Sequence, residues 1–210
     1  MTADAAENYR KAALTLLNLA REGSYQSIVF AGCQGGEGAT TTLLVIAKSL
    51  RECFSCKVLV LEMNLSRPEL AERLSLDRSR ALNAACIDRR RPAAECIQPS
   101  AAGVDVLAVD VPGRDEASRL DVAPLLRRML DETKSGYDLI LIDSPPLLAS
   151  SQAWAICSVV PRMVLVAESG RTRREVLHRA QKDLAQAKVA VLGSVLNKQD
   201  RYIQIGRAHV

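Results

Sequence analysis

The chain has 210 residues, 48% of them hydrophobic, which suffices for one sizeable core and a single domain. Only 3% are aromatic, so the core is aliphatic, and base-stacking platforms are not expected; no nucleic-acid partner is expected either. The formal net charge of +4 is spread over mixed-sign stretches; its densest basic run, Asp88 to Pro92, reads as a solvated loop and names no partner.

An amphipathic helix opens the chain, from about Ala3 to Glu22. Apolar runs follow at Ser27 to Gly32, Lys57 to Met63, Val104 to Val109, Tyr137 to Asp143, Arg162 to Glu168 and Val189 to Asn197. Most are nearly continuous Val, Ile and Leu rather than alternating, the pattern of strands buried on both faces. Helical stretches lie between them: Thr40 to Cys53, Glu69 to Leu74, Val122 to Thr133 and Arg173 to Ala187. Such βαβ alternation predicts an α/β fold, a mainly parallel sheet with helices on both sides in three α/β/α layers.

The six cysteines are scattered, and Cys53 and Cys56 have no second pair or nearby histidine to complete a metal site. They suit a reducing compartment. The longest uncharged run, Ser144 to Pro161, is broken by Pro145 and Pro146 and does not read as a membrane span. Ile205 to Val210 resembles the translation of a sequencing-adapter oligonucleotide, so those residues are set apart from the fold.

In a parallel sheet, ligands bind outside the carboxyl ends of the strands. Three segments occupy such ends. The first, Gly32 to Thr42, reads GCQGGEGATTT: Gly35, Gly36, Glu37 and Gly38 lead into a helix whose backbone amides can approach a phosphate. Thr40 and Thr41 offer hydroxyls where a phosphate loop holds magnesium. Ala39, however, stands where that loop carries lysine, and Cys33 where it carries glycine. On its own the segment fits either a degenerate nucleotide loop or a structural strand-to-helix turn. Loss of the charge-assisted lysine contact costs roughly 1.5–3 kcal/mol, about ten- to a hundredfold in affinity. Lys48 is no substitute, since nine residues along a helix is about 13 Å.

The second segment, Glu62 to Pro68, and the third, Asp143 to Pro146, complete the pattern. GGEGATTT, VLVLEMNLSRPEL and YDLILIDSPPLLASSQA together resemble the bacterial tyrosine kinases of capsular and exopolysaccharide export, a branch of the deviant-Walker P-loop ATPases. The resemblance implies a P-loop NTPase-like domain at 26–204 behind an N-terminal helix at 1–25, and the adapter-like residues 205–210 stand outside it. It implies a nucleotide site at Gly35, Gly36, Glu37, Gly38, Ala39, Thr40 and Thr41, with Asn197 toward the base. Magnesium would fall to Thr40 and Asp143, and catalysis to Asp143 and Glu62.

Several positions depart from the family's pattern. Its two aspartates in the second motif correspond to Glu62 and Asn64, and the basic residue after them to Ser66. The family's intersubunit motif keeps Glu7 and Arg10 but ends in Ala13, and an i, i+3 ion pair on a solvated helix face accounts for the two equally well. Of the C-terminal tyrosine cluster only Tyr202 is present.

Three functions remain in view. A kinase-derived regulator would bind ATP or ADP with Mg2+, weakened by Ala39, and turn nucleotide over poorly or not at all. Its partner would be an inner-membrane polysaccharide co-polymerase or chain-length regulator, holding it at the cytoplasmic side of that membrane, with homo-oligomer formation through Glu7 and Arg10. An active ATP-dependent tyrosine kinase is the second, and a ParA/MinD-like partitioning or placement ATPase the third. Gln34, where partitioning relatives usually carry lysine, argues against the last.

Overall fold

The computed structural model describes residues 3–83, 87, 91–110, 117 and 119–198. The adapter-like tail, Tyr202, Cys86 and most of the arginine run lie outside them.

Helix α1 (Ala3–Glu22) precedes β1 (Ser27–Gly32), α2 (Ala39–Phe54), β2 (Val58–Glu62) and the short α3 (Leu70–Arg73). Strands β3 (Gln98–Pro99) and β4 (Asp105–Leu107), α4 (Val122–Thr133) and β5 (Leu139–Asp143) come next. The chain then forms α5 (Ser151–Val159), β6 (Arg162–Glu168), α6 (Arg174–Gln186) and β7 (Ala190–Asn197).

Among the described residues the strands form one sheet in the order β3-β4-β2-β5-β1-β6-β7, parallel except at β3. The expected α/β class and its parallel sheet are therefore present. The continuous apolar runs have the expected cause. In β1, Ile28 and Phe30 face the α1/α2 layer, while Val29 and Ala31 face α4, α5 and α6. Strands β2 and β5 divide in the same way, with all their residues buried.

Helix α1 buries Ala13, Leu16, Leu17 and Ala20 in the cluster that holds Leu43, Ile46 and Leu50 of α2. Each leucine so buried contributes about 1.5–3 kcal/mol. That apolar stripe makes α1 part of the core layer.

Two elements have weak signals in the sequence. Helix α5 lies in the uncharged run and buries Ala153, Ile156 and Cys157, but its high apolar content leaves little contrast between faces. Strand β3 is a two-residue antiparallel edge ending in Pro99, a position proline tolerates because it has no N–H to give a neighbour. Among the described residues no helix is long and apolar enough to cross a membrane.

At the carboxyl end of the sheet, β5 lies between β1 and β2, with Asp143 in register with Phe30 on one side and Glu62 on the other. Glu62 is fully buried. One of its carboxylate oxygens accepts from the amides of Glu69 at 2.5 Å and Leu70 at 2.8 Å; the other accepts from Val109 at 2.9 Å. Burial raises its carboxyl above the usual range, and the three amides oppose that shift. Glu62 thus ties the start of α3 and the chain beyond β4 to the end of β2. Glu62, expected as a catalytic carboxylate, here has both oxygens engaged by backbone amides of the scaffold.

Replacing Glu62 by Gln turns one acceptor into a donor facing an amide. Glu62→Gln is expected to destabilise the protein by about 1–3 kcal/mol, and Glu62→Ala by more. Urea denaturation midpoints measure this, and an unchanged midpoint for both variants would show that the tie contributes nothing.

Candidate functional site

Between β1 and α2 the chain makes a tight loop that only glycine allows at its bends. Gly35 and Gly38 have φ of 106° and 85°. A Cβ at Gly35 would stand 3.0 Å from Pro146 Cγ, and one at Gly38 would collide with the Asn197 amide. At the start of α2 the Thr42 N–H donates to the Gly38 carbonyl at 2.9 Å. The amides just before it have no acceptor within the helix, so they form the positive end of α2.

The loop also carries its own anion. Glu37, 3% exposed, accepts from the amides of Gln34 and Gly35, each at 2.7 Å. Two amides of the cradle are therefore engaged within the loop. Cys33 is fully buried beside it, and burial together with the Glu37 charge pushes its thiol up to about 11. That makes it a packing residue rather than a nucleophile.

Thr40, on the first turn of α2, donates its hydroxyl to Asp143, with oxygen separations of 3.0 and 3.1 Å. Asp143 is 2% exposed. Burial pushes its carboxyl up to about 7; Thr40 and the Arg73 charge oppose the rise, while the Glu62 and Glu69 charges add to it. A hydroxyl and a carboxylate held together are hard oxygen donors of the kind magnesium takes. The pair fits the expected metal position.

Asn197 donates its amide to the Glu37 carbonyl at 3.0 Å, and its oxygen accepts from Tyr9 of α1 at 3.4 Å and from the Lys198 amide at 2.9 Å. It clasps the loop to the end of β7 and to α1. Lys198, not singled out in the sequence, donates to the Gly36 carbonyl at 3.0 Å and pairs with Glu168 at 3.1 Å. Arg171 pairs with the same Glu168 oxygen at 3.0 Å. The signal that could have found Lys198 is its position just past a parallel strand's carboxyl end.

A cavity of about 620 Å³ opens over the loop. Gly35 to Thr41 form its floor, and Asn64, Ser66, Arg67, Glu69 and Arg73 one wall; Ser144 to Pro146 and Lys198 also contribute. Ala39 lines it while packing against the α1/α2 cluster, so no ammonium enters from that position. Asn64 brings an amide where the resemblance implies a second acid. Most of the expected nucleotide residues thus converge on one volume, with Asp143 just beneath it and Glu62 directed elsewhere. Glu7 and Arg10 instead pair with each other at 3.0 Å on the solvent side of α1, each about half exposed (48% and 54%).

The residues fit a magnesium-bound nucleotide in part: a glycine cradle, a helix N-terminus and a Thr–Asp pair are present. Two cradle amides are held by Glu37, and the loop lysine is absent.

No protein-family model matches the chain. The tyrosine-protein kinase YwqD of Bacillus subtilis is 25% identical over 192 residues, covering 91% of this chain and 80% of its own length. The tyrosine-protein kinase CpsD of Streptococcus agalactiae is 34% identical over 71 residues, 34% of this chain and 31% of CpsD, so that match spans under a third of the relative. Among solved structures, the kinase domain of the Escherichia coli tyrosine kinase Etk superposes with a TM-score of 0.75 at 22% identity, over 88% of this chain and 72% of that one. In sequence the chain is thus similar to bacterial tyrosine-protein kinases, and it shares the fold of the Etk kinase domain.

Proposed function

We propose that the chain is a kinase-derived regulator of capsule or exopolysaccharide export, which holds a magnesium nucleotide weakly and transfers phosphoryl groups poorly or not at all. The observation that carries this reading is the division within the cavity. The cradle and the Thr40–Asp143 pair are in place, while the positions implied for chemistry hold Ala39, Asn64 and a Glu62 whose oxygens serve the scaffold.

Bound magnesium would neutralise charge on the phosphate oxygens, and Thr40 with Asp143 would hold it. The α2 amides and Gly36 would orient the phosphates. Asn64, an amide without basicity, cannot take the proton of an acceptor hydroxyl. Phosphoryl transfer depends on charge stabilisation and positioning, so a chain without the loop lysine and without a free base retains binding more readily than rate. The family resemblance supplies the context: an inner-membrane co-polymerase as the docking partner, at the cytoplasmic face. Similarity to proteins named tyrosine-protein kinases favours a kinase lineage over a partitioning ATPase.

With labelled ATP, magnesium and a tyrosine-containing acceptor peptide, the purified protein is expected to yield no phosphotyrosine above background. A signal abolished by Asp143→Asn would establish the active-kinase reading instead. In calorimetric titrations, magnesium should strengthen ATP binding to the wild-type chain by roughly tenfold or more. Asp143→Asn should erase that gain, and a variant that kept it would remove Asp143 from the metal site.

A further inference from the structure

The cavity lacks the loop lysine but is not without cations. Arg67, Arg73 and Lys198 line it, and their surroundings separate them. Lys198 is engaged by the Gly36 carbonyl and by Glu168, an acid it shares with Arg171. Arg67 lies 74% exposed, with its Nε on Glu69 at 3.1 Å. Lys48 points along α2 to Glu52 at 3.7 Å.

Arg73 differs from these. It sits at the end of α3, and its Nη1 donates to the Thr41 hydroxyl at 3.1 Å, on the first turn of α2. Its Nε and Nη2 contact one Glu69 oxygen at 2.8 and 2.6 Å. The guanidinium is thus oriented by two elements and stands over the positive end of α2. A cation there is electrostatically unfavourable unless an anion shares the space. Glu69 offsets this on one side and also receives Arg67, and the Asp143 carboxyl beneath the loop feels the Arg73 charge as well. A guanidinium has five N–H donors. Those bonds leave one hydrogen on each terminal nitrogen for a further acceptor such as a phosphate oxygen.

We propose that Arg73, reaching from α3 across Thr41, supplies the phosphate-facing charge that Ala39 does not, and so anchors the polyphosphate of a bound nucleotide from the wall opposite β7. This rests on the reading that the chain binds nucleotide, and it names the residue that allows binding without the loop lysine. Arg73 binds phosphate here and carries out no chemical step.

The test is calorimetric titration of magnesium–ATP and magnesium–ADP into the wild-type chain, Arg73→Ala, Arg73→Lys, Ala39→Lys and the double variant Arg73→Ala/Ala39→Lys. Arg73→Ala should weaken binding about ten- to a hundredfold. Arg73→Lys should recover only part, because a point charge lacks the fork. Lysine restored at position 39 should rescue the Arg73→Ala chain. Arg73 is 44% exposed on its side chain, so its removal should leave the denaturation midpoint near that of the wild type, which separates a lost ligand contact from a lost fold. Equal affinity of wild type and Arg73→Ala would overturn the role of Arg73 while leaving nucleotide binding intact. A wild-type chain that binds neither nucleotide would overturn both.

Discussion

The strand register at the carboxyl end of the sheet governs the rest of the site. Because β5 is inserted between β1 and β2, Asp143 lies beside Phe30 on one side and Glu62 on the other, in a region without solvent. Two carboxylates are thereby fixed as neighbours, and the loop adds a third in Glu37, 3% exposed. A buried carboxylate is costly unless donors surround it, so the local chain path must provide them. The loop bend, the start of α3 and the turn after β4 can each be understood as a supply of N–H groups to this corner.

That supply is uneven, and the unevenness separates scaffold from site. Glu62 receives three amides and Glu37 two. Asp143 receives a single hydroxyl, whose one hydrogen is shared between two oxygens. Of the three acids it has the largest unmet capacity for a positive partner. A divalent cation beside Thr40 would meet that capacity without moving either side chain far, whereas Glu37 and Glu62 would have to surrender backbone bonds to do the same.

Much of this was legible in the sequence. Continuous aliphatic runs gave the strands and their double-sided burial, and the residues following β1, β2 and β5 pointed to the cavity. What could not be read was direction. Glu62 has the chemistry of a catalytic acid, but the partners that hold it, Glu69, Leu70 and Val109, arrive from two separate segments. Asn197 likewise looks toward a base from its strand position, yet its amide holds the loop at Glu37. Arg73 gave no signal, because its relevance depends on α3 folding back over Thr41. Helix α5 was obscured for a different reason, since an all-apolar run shows no periodic contrast.

The length of the side chain at position 62 bears on how the site came to be divided. The family pattern implies aspartate there, and glutamate adds one methylene. With that extra reach the carboxylate spans α3 on one side and the chain after β4 on the other. A residue that serves three amides stabilises the walls of the cavity irrespective of any ligand. The loop is similarly self-sufficient: Glu37 closes it from within, and Asn197 and Lys198 hold it from β7. The cradle therefore keeps its shape for structural reasons, and that shape alone is no argument for phosphate chemistry. The functional argument rests on groups whose bonding is incomplete without a ligand: Asp143 beneath the loop, the leading amides of α2, and the Arg73 guanidinium beside them with terminal hydrogens left to donate.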